Sequence, residues 1–196
     1  MKDSIKIISA LRSEWNGGDH PNLYISGCGK VNAAMVTMEM IKYSELTQQP
    51  ITTIINYGTA GSTTGVTGLV DCLKFHQRDM DVRPLGFKLG ETPFDIDPPV
   101  IDFSYIDNPI GKKLSCGTGD SFITSGDGVE TDVVDMEAYA IAKVCYNYNI
   151  DFISFKYITD SGDPNDWEDN YTKGIKSFKE LLEEHYNIED VEYGTL

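Results

Sequence analysis

The chain has 196 residues, 40% hydrophobic and 24% charged, which suits one sizeable core in a globular protein. A formal net charge of −15 opposes approach to nucleic acid or an anionic membrane, leaving small molecules as the open ligand class. The widely spaced cysteines (28, 72, 116, 145) and the histidines (20, 76, 185) lack metal-ligand spacing, and no signal peptide or membrane-length apolar run is visible. The expectation is a cytoplasmic protein with buried free thiols, no metal and no cofactor.

Ser4–Ala10 is short and β-branched and predicts a buried strand, and Leu23–Ser26 a second. The Gly27-Cys28-Gly29 turn leads into a helix whose apolar face is expected at Val31, Ala34, Met38 and Ile41. Ile51–Tyr57 predicts a strand stopped by the turn Gly58-Thr59-Ala60-Gly61, and Leu69–Phe75 another. Five prolines between Pro84 and Pro109 predict long loops. Lys113–Gly117 reads as a short strand, Ala138–Tyr148 as a buried helix and Phe152–Thr159 as a strand. Asp163-Pro164 fits the start of a long final helix, with Trp167, Tyr171, Ile175, Phe178, Leu182 and Tyr186 on one face. The acidic tail from Asn187 carries no function in this reading. Strands alternating with helices predict a single domain over residues 1–196, an α/β fold of three layers with a central, mostly parallel, mixed sheet flanked by helices.

Ligands of such sheets collect outside the carboxyl ends of the strands. Arg12-Ser13-Glu14, Gly27–Lys30, Gly58–Gly61 and Thr159–Gly162 fall there, and Asp135-Met136-Glu137 is expected at the start of its helix facing the same cleft. Each has a plainer reading. Gly27-x-Gly29 lacks the third glycine of a dinucleotide fingerprint. Gly58–Gly61 fits a simple tight turn, Asp135 and Glu137 fit helix-end acids favoured by the dipole, Asp160 a turn aspartate, and Glu14 a solvated acid beside Trp15. The residues alone leave these alternatives open.

In order, the segments IISALRSEW, ISGCGKVNAA, INYGTAGS, DMDVRPLGF, TGDSFI, VDMEAYAIAKVC and FKYITDSGD resemble the purine nucleoside phosphorylase and nucleosidase family. Among its members, the likeness is greatest to the 5′-methylthioadenosine/S-adenosylhomocysteine nucleosidases. The resemblance implies hydrolysis of the N-glycosidic bond of a purine nucleoside to free base and sugar, 5′-methylthioadenosine and S-adenosylhomocysteine being candidate substrates. It gives Glu14 the position of the water-activating acid and Asp160 that of the acid serving the purine N7. Thr59, Ala60 and Gly61 match a turn bordering sugar and base, and Phe122 and Ile123 the base-binding segment. Met136 and Glu137 match the ribose-binding pair. A homo-oligomer, a dimer or larger, is implied as well, with a neighbour completing the 5′ pocket.

Lys156 stands where the family commonly has arginine and Thr159 where it has serine, and the chain is shortened between Trp15 and Leu23, between Pro98 and Lys113 and around Gly126–Thr131. The phosphorylases bind phosphate with arginines, one just before the glycine turn, where this chain reads Ile55-Asn56-Tyr57-Gly58. Hydrolysis is therefore favoured over a phosphate-dependent phosphorylase, for which Arg12 and Lys30 would have to supply the charge. A non-catalytic nucleoside-binding protein is the third reading, opposed by the presence of all three acids.

Overall fold

The computed structural model describes residues 4–16, 18–123, 130–160, 170 and 172–189, with the Asp160 side chain outside that set. Ser161–Pro164, Trp167, Tyr171, residues 126–129 of the shortened segment and the tail from residue 190 also lie outside the described residues.

The β-branched segments form strands β1 (Ile5–Ser9), β2 (Leu23–Ile25), β3 (Thr53–Ser62) and β4 (Gly68–Gln77). The later strands are β5 (Val100–Asp102), β6 (Leu114–Thr118), β7 (Val133–Asp135) and β8 (Asp151–Asp160). Helices α1 (Lys30–Leu46), α2 (Ala138–Tyr148) and α3 (Ile175–Tyr186) complete the described elements, with a single 3₁₀ turn at Arg83–Leu85. Seven strands follow the order β2-β1-β3-β7-β6-β4-β5, and β8 joins β3 to β4 across the middle. Pairing is parallel for β1 with β2 and β3, for β3 with β8 and for β6 with β4 and β7. It is antiparallel for β3–β7, β4–β5 and β4–β8. The sheet is thus mixed and mostly parallel, as expected.

Neighbouring residues of β8 point to opposite faces. Phe155 lies against Phe178 and Tyr186 of α3, and Tyr57 stacks on Phe178 at 4.3 Å. Phe152 lies instead among Phe75 and Phe103. Helix α2 packs on β4, β5, β6 and β8 and against α1.

Four expectations need correction. Residues 172–174 form a turn, so α3 begins at Ile175 and does not continue an unbroken helix from further back in the chain. The glycines of Gly58–Gly61 make no turn: β3 runs straight through them, pairing with β8 as far as Gly61, where the register shifts. Tertiary pairing on both edges overrides the local turn signal. Asp135 belongs to β7 rather than to the start of α2, whose first residue is Ala138. The buried face of α1 is Ala33, Thr37, Met40, Ile41 and Ser44, while Val31 is 77% exposed. Thr37 and Ser44 can be buried because their hydroxyls donate to the carbonyls of Ala33 (2.7 Å) and Ile41 (2.8 Å). The cysteine expectation holds for Cys72, Cys116 and Cys145; Cys28 is a free thiol too, but exposed. Among the described residues no helix is long and apolar enough to cross a membrane, and no group of three or more His, Cys, Asp or Glu could hold a metal ion.

Candidate active site

A cavity of about 310 Å³ opens where the ends of β1, β3, β6 and β7 meet the start of α1. Eight of the nine residues singled out in the sequence line it: Glu14, Thr59, Ala60, Gly61, Phe122, Ile123, Met136 and Glu137. The ninth, Asp160, ends β8 with its backbone paired to Gly61, and its side chain lies outside the described residues.

Glu14 is not a solvated acid; only 3% of it is exposed. Its neighbour Trp15 is anchored edge-on to Phe178 of α3, which holds the short turn after β1 in place. One carboxylate oxygen of Glu14 accepts from Ser9 Oγ (3.2 Å) and Leu11 N (3.1 Å), the other from Thr59 N and Thr59 Oγ1 (both 2.9 Å). A charged carboxylate buried this deeply requires such donors. A Cβ added at Gly58 would lie in ordinary contact with Lys156 Nζ (3.4 Å) and Glu14 Oε1 (3.5 Å), which shows that acid and cation converge on one point of β3.

Asp135 and Glu137 divide the two roles that the sequence left open. Asp135 is the helix-end acid: it accepts from Ala138 N at 2.9 Å, while Thr118 Oγ1 accepts from Tyr139 N at 2.9 Å. These bonds satisfy N–H groups that the first turn of α2 leaves without partners. Glu137 is thereby released from capping and lines the cavity, accepting from Gly29 N at 2.9 Å.

Behind them lies a contact that the sequence reading missed. Lys156 Nζ is 2.8 Å from Asp135 Oδ2, with both side chains essentially inaccessible to water. Burial alone would neutralise either group. Mutual attraction instead holds Asp135 below the usual carboxylate range against the effect of burial, helped by Thr118 and the Ala138 N–H. Lys156, which burial alone would lower, is raised by Asp135, Glu137 and Cys116. Glu137 responds oppositely: burial and then the Asp135 charge push it up to about 7, although Lys156 and the Gly29 N–H pull it down. Lys156 and Asp135 are 21 positions apart in sequence, and no local spacing signals the pair. Arg78, also unsuspected, lines the cavity beside Ser121 and Phe122.

Comparison with known proteins fits this arrangement. The family model "Phosphorylase superfamily" matches residues 126–185. The chain is 32% identical to a 5′-methylthioadenosine/S-adenosylhomocysteine nucleosidase of Haemophilus influenzae, over 80% of this chain and 72% of that one. It is also 32% identical to the enzyme of that name from Staphylococcus saprophyticus, over 70% of this chain and 67% of the other. In fold it is similar to the Helicobacter pylori 5′-methylthioadenosine/S-adenosylhomocysteine nucleosidase, with TM-score 0.75, 18% identity and coverage of 93% and 99%. A similar likeness links it to the futalosine hydrolase of Helicobacter pylori, with TM-score 0.74, 19% identity and coverage of 94% and 99%.

Proposed function

The chain belongs to the 5′-methylthioadenosine/S-adenosylhomocysteine nucleosidase family, and from that premise we propose how its cavity hydrolyses the N-glycosidic bond of a purine nucleoside, with 5′-methylthioadenosine or S-adenosylhomocysteine as substrate. One observation carries the reading: two buried carboxylates, Glu14 and Glu137, line a single cavity with the Phe122-Ile123 segment. Its volume lies at the low end of the range for small-molecule sites.

Glycoside cleavage passes through an oxocarbenium-like state, so it needs a stabilised leaving group and an oriented water. Glu14 orients the water and takes its proton by giving up one of its four hydrogen bonds, that from Ser9 Oγ being the longest at 3.2 Å. Glu137 accepts hydrogen bonds from the ribose hydroxyls next to the developing positive charge, with Met136 against the sugar. Thr59, Ala60 and Gly61 border sugar and base, and Phe122 and Ile123 contact the purine. Asp160 delivers a proton to the purine N7 as the bond breaks, which requires its carboxyl to be protonated near neutral pH.

Hydrolysis is favoured over phosphorolysis by how the cations are engaged. Arg12 pairs with Asp19, Lys30 with Asp79 and Asp120, and Lys156 with Asp135. Arg78 donates to the carbonyls of Gly119 and Ser121. The test is a panel of 5′-methylthioadenosine, S-adenosylhomocysteine, adenosine and inosine assayed for free base. Release from the first two supports the reading, and release from none contradicts it. Asp160→Asn is expected to cut that release by about 10²–10⁴-fold with the fold intact; unchanged turnover would refute the acid role.

The working unit in this reading is a cytoplasmic homodimer or larger assembly of single-domain subunits, with a neighbour closing the pocket. Its support is the outer face of α1, a helix that starts two residues after the cavity-lining Cys28 and leaves Val31, Met35, Tyr43 and Leu46 exposed. Light scattering on wild type and Val31→Glu checks it: the variant should shift toward monomer, and a monomeric wild type would end the proposal.

A further inference from the structure

We propose that Arg78 is a positioning residue that holds the segment Gly119–Ile123 in its base-binding shape, an inference that rests on the purine reading of that cavity wall. Arg78 follows the last residue of β4 and is only 7% exposed. Its backbone N–H donates to Thr118 O at 2.9 Å, which sets its side chain alongside the segment that leaves β6. Nη1 donates to Ser121 Oγ at 3.2 Å, and Nη2 donates to the carbonyls of Gly119 (3.2 Å) and Ser121. The next residue, Asp79, accepts from Asp120 N at 2.9 Å. Two adjacent side chains of opposite charge thus grip three consecutive residues, the cation through carbonyls and the anion through the N–H between them. Lys30 ties the same turn to α1: it pairs with Asp79, and its backbone N–H donates to Asp120 Oδ1 at 2.8 Å.

Gly119 is fitted to this grip. A Cβ there would lie 2.8 Å from Arg78 Cζ, closer than real Cβ contacts come, and a tight 3.0 Å from both Arg78 Nη1 and Asp79 Cγ. The guanidinium therefore rests directly on the glycine.

The arrangement is costly if it serves stability alone. A buried guanidinium is ordinarily matched by a carboxylate, yet among the described residues none pairs with Arg78, and its Nε–H has no partner. Its hydrogen bonds are spent on the residues immediately before Phe122. Phe122 is 46% exposed, and with Ile123 it forms part of the cavity wall. The backbone leading to those two side chains is held by Arg78 and Asp79 on one side, and by Gly119 N donating to Asp135 O (3.1 Å) and Lys30 N donating to Asp120 on the other.

The test measures kcat and KM for 5′-methylthioadenosine, and the Kd of free adenine by calorimetry, in wild type, Arg78→Met, Arg78→Lys and Gly119→Ala. Arg78→Met is expected to raise KM and the adenine Kd by about tenfold or more, while kcat stays within about threefold. Arg78→Lys should fall between, because the three donors of an ammonium radiate from one nitrogen while the acceptors are placed for the two Nη atoms of a planar fork. Gly119→Ala, which pushes the guanidinium off the turn, should move the same two quantities. If Arg78→Met fails to fold, the lysine variant decides. Folded variants with wild-type KM and adenine Kd overturn the inference, as does a fall in kcat with KM unchanged. A wild type that binds adenine yet cleaves no nucleoside removes the hydrolytic reading alone, and the adenine Kd values still decide on Arg78. A wild type that binds no adenine overturns both.

Discussion

Glu14 accepts four hydrogen bonds, from Ser9, Leu11 and both donors of Thr59, whereas Glu137, nearly as buried, accepts one from Gly29 and has Asp135 two residues away. The first carboxylate is satisfied by the protein before any ligand arrives. The second is pushed up to about 7 by burial and a like charge, with Lys156 and the Gly29 N–H pulling the other way. The difference suits an acid that orients a small water from a fixed position and another that completes its bonding on sugar hydroxyls. It also means that substitution should lower activity at both but move stability in opposite directions.

Glu14→Gln should have the largest effect, lowering base release by about 10²–10⁴-fold. It should also lower stability by about 1–3 kcal/mol, since an amide NH₂ would face N–H and O–H donors in a buried site. Melting curves and single-turnover rates measure the two losses separately, and a fully active variant would break the contrast.

Lys156→Met should come next. Removing the ammonium leaves Asp135 buried and unpaired, an imbalance that costs about 3–5 kcal/mol. The same change should move Glu137 further up, because one of the groups opposing its rise is gone. Denaturant unfolding checks the first effect, and the pH at which the Glu137 carboxyl titrates by NMR checks the second.

Glu137→Gln should lower kcat/KM by about 10–100-fold, less than Glu14→Gln, as fits the loss of a charge that only stabilises the transition state. Its stability signature has a definite sign. Burial raises the folded value from 4.5 to about 7, so between those two values the native state binds more protons than the unfolded chain. Wild-type stability therefore falls as pH rises through that window, by up to roughly 3 kcal/mol from this group, and levels off above it. Glu137→Gln should lose that slope and gain on wild type as the pH is raised from 5 to 8. Parallel slopes in the two proteins would mean that the burial of Glu137 has no such cost.

Much of this site was legible because its chemistry sits in short stretches. The strand that ends at Asp160 could be located from local pattern, and α2 begins and ends where its apolar run does, which leaves Glu137 just before its first turn. What was hidden depends on contacts distant in sequence. Glycines 58 and 61 signal a turn locally, yet β8 and β7 pair with this stretch of β3 and keep it extended. The three-residue strand β7 is too short for any periodicity. On α1, a search for apolar residues finds the buried Ile41 and the partly buried Ala34 but wrongly adds Val31 and passes over Thr37 and Ser44, whose hydroxyls bond to the helix's own carbonyls. Lys156 stands in the sequence where the family commonly has arginine, with nothing local to point to Asp135, and Arg78 falls one residue before the DMDVRPLGF segment that carries part of the resemblance.

The account stands most directly on one comparison: base release from 5′-methylthioadenosine by the purified protein in phosphate-free buffer and in buffer with added phosphate, with the sugar product identified. Equal rates and a free sugar in both are the predicted result. Release that requires phosphate and yields a sugar 1-phosphate would contradict it.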